Sequence, residues 1–286
     1  MSRIEKALEK AVEMRKSVKE VSVETDTSAK HVPFSGFGKA DCIINADMVD
    51  KHIVCITDFH AVAAEQYKKL RARVLRATVG QSHNTIVITS PEVGEGKTVT
   101  AINLAVALAH EIDHTVLLVD ADLKHPSVHK YLGIENGFGL TDCLLGRKNI
   151  QDVLIKTGIG NLVILTAGNS SDNPSELLSS DTMRQLVYEM KHRYKDRYII
   201  IDTPPILMTA ESLALAGYAD GVLLIIEAGR TTPATASSAL SHITGSNVLG
   251  VVLNNMPKYF GRRSYQQYYS YGIKGYHESQ KNAQKK

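Results

Sequence analysis

At 286 residues, 43% of them apolar, the chain can bury a sizeable core as one large domain with extensions, and a 22% charged share excludes a wholly disordered chain. A formal net charge of +3 gives no basis for polyanion binding over the whole surface. Cys42, Cys55 and Cys143 are scattered without metal or redox spacing, as in a reduced, cytosolic chain. The first residues are charged and lack an apolar h-region, so no signal peptide is expected, and no apolar run approaches the ~18 residues of a membrane span.

Residues 1–20 come first, and Ser2 to Glu20 is expected to be helical. Ile4, Leu8, Ala11 and Val18 fall near one face of it, with mixed charge on the other. That face is expected to pack on the core or on a neighbouring chain, with docking on a membrane surface as the lesser reading. Residues 21–50 are polar, with Pro33, Gly36 and Gly38, and read as a linker. His52 to Thr57 is a candidate edge strand that opens the main domain, 51–256. Ala61 to Ala77 is a second amphipathic helix, striped by Ala63, Tyr67, Leu70 and Val74. Glu65, Lys68 and Arg71, three apart, form a charge ladder beside that stripe; spacing alone favours a solvated face.

Apolar strand candidates follow at Thr85–Ser90, Thr115–Asp120, Leu162–Leu165, Tyr198–Asp202, Gly221–Ile226 and Val248–Leu253, with helical patterns between most of them. That alternation predicts an α/β fold, a mostly parallel twisted sheet with helices on both faces. In such sheets ligands bind beyond the carboxyl ends of the strands.

The first of these strands runs into Val93-Gly94-Glu95-Gly96-Lys97-Thr98-Val99 and then into a helix marked by Ala101, Leu104, Ala105 and Leu108. A glycine-rich loop between a strand and a helix N-terminus is a phosphate cradle: backbone N–H groups and the helix dipole face the anion. Lys97 is placed to reach the outer phosphates, and the Thr98 hydroxyl to hold Mg²⁺. Acidic residues are then expected at other strand ends, and they occur. VLLVDAD ends in Asp120 and Asp122, and YIIID ends in Asp202. Carboxylates there suit Mg²⁺ binding or proton acceptance. These residues predict a nucleoside triphosphate site with Mg²⁺. Partitioning-type ATPases, which resemble the chain this far, carry an extra lysine five residues before the main one. Here Glu92 takes that place, which weakens the reading as a switch.

Residues 257–286 are the other departure. Six of the chain's 12 tyrosines, Tyr259, Tyr265, Tyr268, Tyr269, Tyr271 and Tyr276, lie there among Gly, Ser, Gln and Arg. Such a composition cannot bury a core and predicts a flexible tail. Arg262, Arg263 and Lys274 make it basic. Stacking on nucleic acid is the lesser reading, since no other surface for it is evident. A phosphoacceptor tail accounts for both halves of the chain together.

On these residues the chain resembles the bacterial protein-tyrosine kinases (BY-kinases) of the polysaccharide-export type, and especially the cytosolic autokinases associated with exosortase systems, which open much like MSRIEKALEK. SPEVGEGKT is similar to that family's Walker A motif, LLVDADLKHPS to its Walker A′ and YIIIDTPP to its Walker B. DNPSELL and ADGVLLIIEAGRTT are similar to further family segments. The resemblance implies a P-loop NTPase of the deviant-Walker group that uses ATP and Mg²⁺. It implies a base or metal role for Asp120, with Asp122 and Asp202 completing the Mg²⁺ shell; which aspartate is the base stays open. It implies an adenine contact for Asn254. It also implies that Glu65, Lys68 and Arg71 match an E-x-x-R-x-x-R element that closes rings, in which one subunit's tail enters the next subunit's site. Lys68 departs from that element, and Lys124 stands where the A′ motif usually has arginine. A separate membrane chain-length regulator as activator, a cytoplasmic location at the inner face of the membrane, and a role in exopolysaccharide synthesis or export are implied in the same way. The rival reading is a partitioning-type ATPase switch without phosphotyrosine.

Overall fold

The computed structural model describes residues 40–41, 44–79, 84–171, 173–193 and 197–256. The expected N-terminal helix, most of the expected linker and the tyrosine-rich tail lie outside the described residues.

Eight strands form one sheet in the order β1-β4-β5-β3-β6-β2-β7-β8. They are β1 (Ala40–Asp41), β2 (Thr85–Thr89), β3 (Thr115–Asp120), β4 (Ile155–Lys156), β5 (Leu162–Leu165), β6 (Arg197–Asp202), β7 (Gly221–Glu227) and β8 (Val248–Asn254). Every pairing is parallel except β4 with β5. All six strands expected from the apolar runs are present. Their Val/Ile/Leu content suits strands covered on both faces, and Ile86, Val87 and Ile88 are each fully buried.

Ten helices are described: α1 (Val54–Thr57), α2 (Val62–Thr78), α3 (Lys97–Ala109), α4 (Val128–Leu132), α5 (Leu140–Leu144), α6 (Ile150–Val153), α7 (Pro174–Leu178), α8 (Asp181–Arg193), α9 (Glu211–Tyr218) and α10 (Pro233–His242). Helix α3 is buried along all its length except Val99. It lies against β3 and β6 with α2 packed over it. Ile86, Ile88, Val116, Leu118, Ile200 and Leu223 share that apolar cluster. The alternate residues Val87, Leu117, Val119, Ile199 and Ile201 are also fully buried. By strand alternation they face the opposite layer, where α8 packs on β6 and α9 on β2.

Three expectations change. His52 to Thr57 is not an edge strand but leads into the helical turn α1. A six-residue apolar run does not distinguish the two by periodicity. Helix is favoured here because the Asn103 side chain accepts the Cys55 N–H at 2.9 Å, and Ile53 and Cys55 are buried against α3. In α2 the buried stripe carries Ala64, not Ala63, which is exposed. Finally, part of the stretch expected to be linker carries structure: Ala40–Asp41 pairs with β4, and Ala46–Met48 forms a 3-10 turn.

The register sets up the site. Asp120 of β3 pairs directly with Asp202 of β6, and the Thr203 N–H donates to Ile88 O of β2 at 3.1 Å. Parallel strands thus bring three loops together at one end of the sheet.

Candidate active site

The loop between β2 and α3 is shaped by two glycines in the left-handed region, Gly94 at φ +85° and Gly96 at φ +89°. Gly96 is required twice over, since a Cβ there would lie 2.0 Å from Asn254 Nδ2. Glu95, fully buried, holds the loop closed. One of its carboxylate oxygens accepts the Glu92 N–H at 2.7 Å, and the other accepts the Thr231 hydroxyl. Asn254 Nδ2 donates to Glu95 O at 2.9 Å, and Arg230 Nη2 donates to Val93 O at 2.9 Å. The ends of β7 and β8 therefore brace the phosphate loop. Thr231 and Arg230 lie in the ADGVLLIIEAGRTT segment, but neither was singled out in it: a turn threonine and an exposed arginine show their contact only when the fold sets them against the loop. Asn254, expected at adenine, gives an N–H of its amide to this brace.

Lys97 opens α3 and reaches across the sheet end. Its Nζ is 3.1 Å from Asp122 Oδ2 and 3.9 Å from Asp202 Oδ1. It also donates to Thr98 Oγ1 at 3.3 Å. Burial would lower the Lys97 pKa, but Asp202 and Asp122 outweigh it and raise it, so the amine stays charged.

The three aspartates are not equivalent. Asp120 accepts backbone N–H groups from Asp122 at 3.2 Å, Ser127 at 3.0 Å and Val128 at 3.0 Å, which anchors the start of α4. Asp122 accepts the His125 N–H at 3.1 Å and shares a wall of the cavity with Lys97. Asp202 is fully buried, and neither of its oxygens has a hydrogen-bond partner among the described residues. Desolvation, then the neighbouring Asp202 charge, pushes Asp120 up to about 7 despite its backbone donors. Desolvation likewise pushes Asp202 up to about 6, with Lys97 pulling the other way.

These residues face a cavity of about 630 Å³ lined by Val93, Gly94, Gly96, Lys97, Thr98, Val99 and Asp122, among others. Asp120 and Asp202 are fully buried and do not line it. A buried carboxylate with two orphaned oxygens, beside a lysine and a threonine hydroxyl, fits a hydrated Mg²⁺ ion. Among the described residues no three His, Cys, Asp or Glu side chains group as a metal site, so the remaining ligand oxygens would come from phosphate and water, as Mg²⁺ commonly has them.

The charge ladder is used within the chain. Lys68 Nζ lies 3.3 Å from Glu65 Oε2, donates to Phe59 O at 3.3 Å and stands 3.9 Å over the Phe59 ring. Arg71 donates to Ala107 O at 3.2 Å near the C-terminus of α3 and pairs with Glu111 at 2.8 Å. Among the described residues no helix is long and apolar enough to cross a membrane.

Residues 83–244 match the AAA domain family. Over 208 residues the chain is 36% identical to the tyrosine-protein kinase YwqD of Bacillus subtilis, covering 72% of this chain and 86% of that protein. It is 31% identical over 198 residues to the tyrosine-protein kinase etk of Escherichia coli, covering 68% of this chain but spanning only 27% of that longer protein. The kinase domain of the Escherichia coli enzyme superposes with a TM-score of 0.68 at 29% identity, covering 72% of this chain and 80% of that one. The septum site-determining protein MinD of Pyrococcus horikoshii, complexed with Mg-ADP, superposes with a TM-score of 0.51 at 25% identity, covering 63% and 72%.

Proposed function

The chain belongs to the bacterial tyrosine-protein kinases built on a P-loop AAA-type domain, and on that premise we propose that it transfers the γ-phosphoryl group of ATP to tyrosines of its own C-terminal tail. The observation that carries this reading is the open cavity over Lys97, Thr98 and Asp122, in a chain that ends in six closely spaced tyrosines.

In the proposed reaction the acceptor phenol's oxygen attacks the γ-phosphorus of ATP. The new O–P bond forms as the bond to the bridging oxygen of the β-phosphate breaks, and ADP leaves. A phenol ordinarily titrates near pH 10, so its proton must pass to a base as attack proceeds. Asp122 is the aspartate placed for this, because it lines the cavity while Asp120 is committed to the loop before α4. Lys97 and the loop N–H groups hold the phosphates and offset the charge that develops on them. When bound, Mg²⁺ supplies further positive charge there, with Thr98 and Asp202 as the residues that would hold it. Asn254, through Glu95, keeps the loop seated below the nucleotide.

Transfer to a neighbouring copy, in a ring closed through the Glu65, Lys68 and Arg71 face of α2, is part of the proposal. So are recruitment to the membrane by a separate chain-length regulator and a role in exopolysaccharide synthesis or export. Each phosphate adds about −1.5 to −2 charges, so several would reverse the basic tail and drive it from an acidic site.

The test is to incubate the full chain with ATP and Mg²⁺, with and without the regulator's cytosolic segment, and to map phosphates. Phosphotyrosine within 259–276 that disappears in Lys97→Met supports the reading. ATP hydrolysis without phosphotyrosine in either arm would favour the partitioning-type switch.

A further inference from the structure

A second cavity, of about 600 Å³, opens beside the first. The two share Lys124, Pro174, Met208, Thr209 and Glu211 in their walls. The hydroxyls of Ser170, Ser171 and Ser175 line the far side. The nucleotide site therefore continues into a second, serine-lined cavity.

Glu211 stands at the junction, in the first turn of α9 and only 6% exposed. Ser175 Oγ donates to its Oε1 at 2.7 Å. Its Oε2 is buried without a hydrogen-bond partner. Burial would raise the pKa of this carboxyl, but the Ser175 hydroxyl, its own backbone N–H, Thr209 and Lys124 outweigh that and lower it. The group is thus a charged carboxylate with one oxygen unsatisfied, which is costly unless something completes it. A cationic donor is the strongest complement to such an oxygen.

We propose that the second cavity seats the acceptor polypeptide and that the free oxygen of Glu211 takes a basic side chain flanking the acceptor tyrosine. This rests on the kinase reading above and adds to it a determinant of substrate choice. The chain's own tail has the required pattern. Arg262 and Arg263 lie within four residues of Tyr259 and Tyr265, and Lys274 lies within three of Tyr271 and Tyr276. The second cavity makes the acceptor's sequence matter, where a bare phosphate site would accept any accessible phenol.

The experiment measures binding rather than transfer. A labelled peptide of residues 257–276 is titrated onto the full chain with Mg²⁺ and a non-hydrolysable ATP analogue. A second peptide carries Gln at 262, 263 and 274. The chain's own tail competes equally with both, so the ratio of the two dissociation constants is the readout. A ratio of about ten is expected for the wild type, falling to about one in Glu211→Gln. Glu176→Gln, an exposed carboxylate on neighbouring α7, is expected to keep the wild-type ratio. A wild-type ratio near one overturns the proposal, and that comparison needs no variant to fold. So does a ratio that survives in Glu211→Gln or collapses equally in Glu176→Gln. A full ratio in a protein that never forms phosphotyrosine would sink the kinase reading while leaving the cavity assignment standing.

Discussion

Asp120 and Asp202 stand on the same rung of neighbouring strands, paired across β3 and β6, fully buried and raised in pKa by the same desolvation. Their surroundings differ in two respects: Lys97 lies 3.9 Å from Asp202 and lowers its pKa against the desolvation, and the hydrogen-bond donors are unevenly shared. Asp120 receives three backbone N–H groups, and Asp202 receives none. The first carboxylate is consumed in building the loop that carries Asp122 into the cavity. The second keeps both oxygens without a hydrogen bond among the described residues. Burial and strand position make the two look alike, and their polar partners separate them.

The largest effect is expected from Asp202→Asn. Phosphotransfer should fall by about 10²–10³. Thermal stability without Mg²⁺ should hold or rise, because the desolvation of the fully buried carboxylate outweighs its 3.9 Å pairing with Lys97. A marked loss of stability in a melting curve would make Asp202 structural and erase the contrast.

Asp120→Asn should show the reverse pattern. An amide offers one acceptor where the carboxylate offers two, and turns its NH₂ toward backbone donors. Unfolding by urea should reveal a loss of about 2–3 kcal/mol. Phosphotransfer at a temperature where the variant is folded should fall by less than about tenfold. A collapse of activity with unchanged stability would transfer the functional role to Asp120.

The pH dependence joins the two sites. Both folded pKa values lie above those of the unfolded chain, so the native state holds protons that the unfolded state has released. The stability this contributes is complete below the unfolded value near 4 and is lost as pH rises through about 6 to 7. The melting temperature without Mg²⁺ should therefore fall between pH 5 and 7.5, as read by calorimetry. Asp202→Asn should flatten that slope, and added Mg²⁺ with nucleotide should oppose it.

The smallest effect is expected from Ser127→Ala. Asp120 uses the main-chain N–H of Ser127, which alanine retains. Stability should change by no more than about 0.5 kcal/mol. A larger loss would mean that the serine hydroxyl, 3.4 Å from Thr98 Oγ1, matters more than the backbone bond.

Much of this was legible beforehand. Apolar runs marked six strands, five of them largely buried as parallel strands commonly are, while β8 at the end of the sheet leaves Val251 and Leu253 exposed. The glycine loop and the aspartates followed from strand-end chemistry. Strands β1 and β4 were not legible, since two residues show no alternation and their pairing depends on where the chain returns. The turn α1 was misjudged because its decisive partner, Asn103, lies 48 residues away. Glu211 stayed hidden for a related reason. A glutamate in the first turn of a helix reads as an ordinary dipole partner. Only its unpaired oxygen, between two cavities, gives it another meaning.

One brace has a consequence in time rather than in space. Glu95 and Asn254 are 159 positions apart, yet the bond between them helps seat the phosphate loop. At roughly 5–20 residues per second, about 10–30 s of translation separates the two partners. During that interval the nascent chain carries the glycine loop without its last fastening. The capacity to grip nucleotide tightly should therefore arrive late, with β8, the last of the described strands. A ribosome-stalled series tested with a fluorescent ATP analogue should show binding switch on only once β8 has emerged.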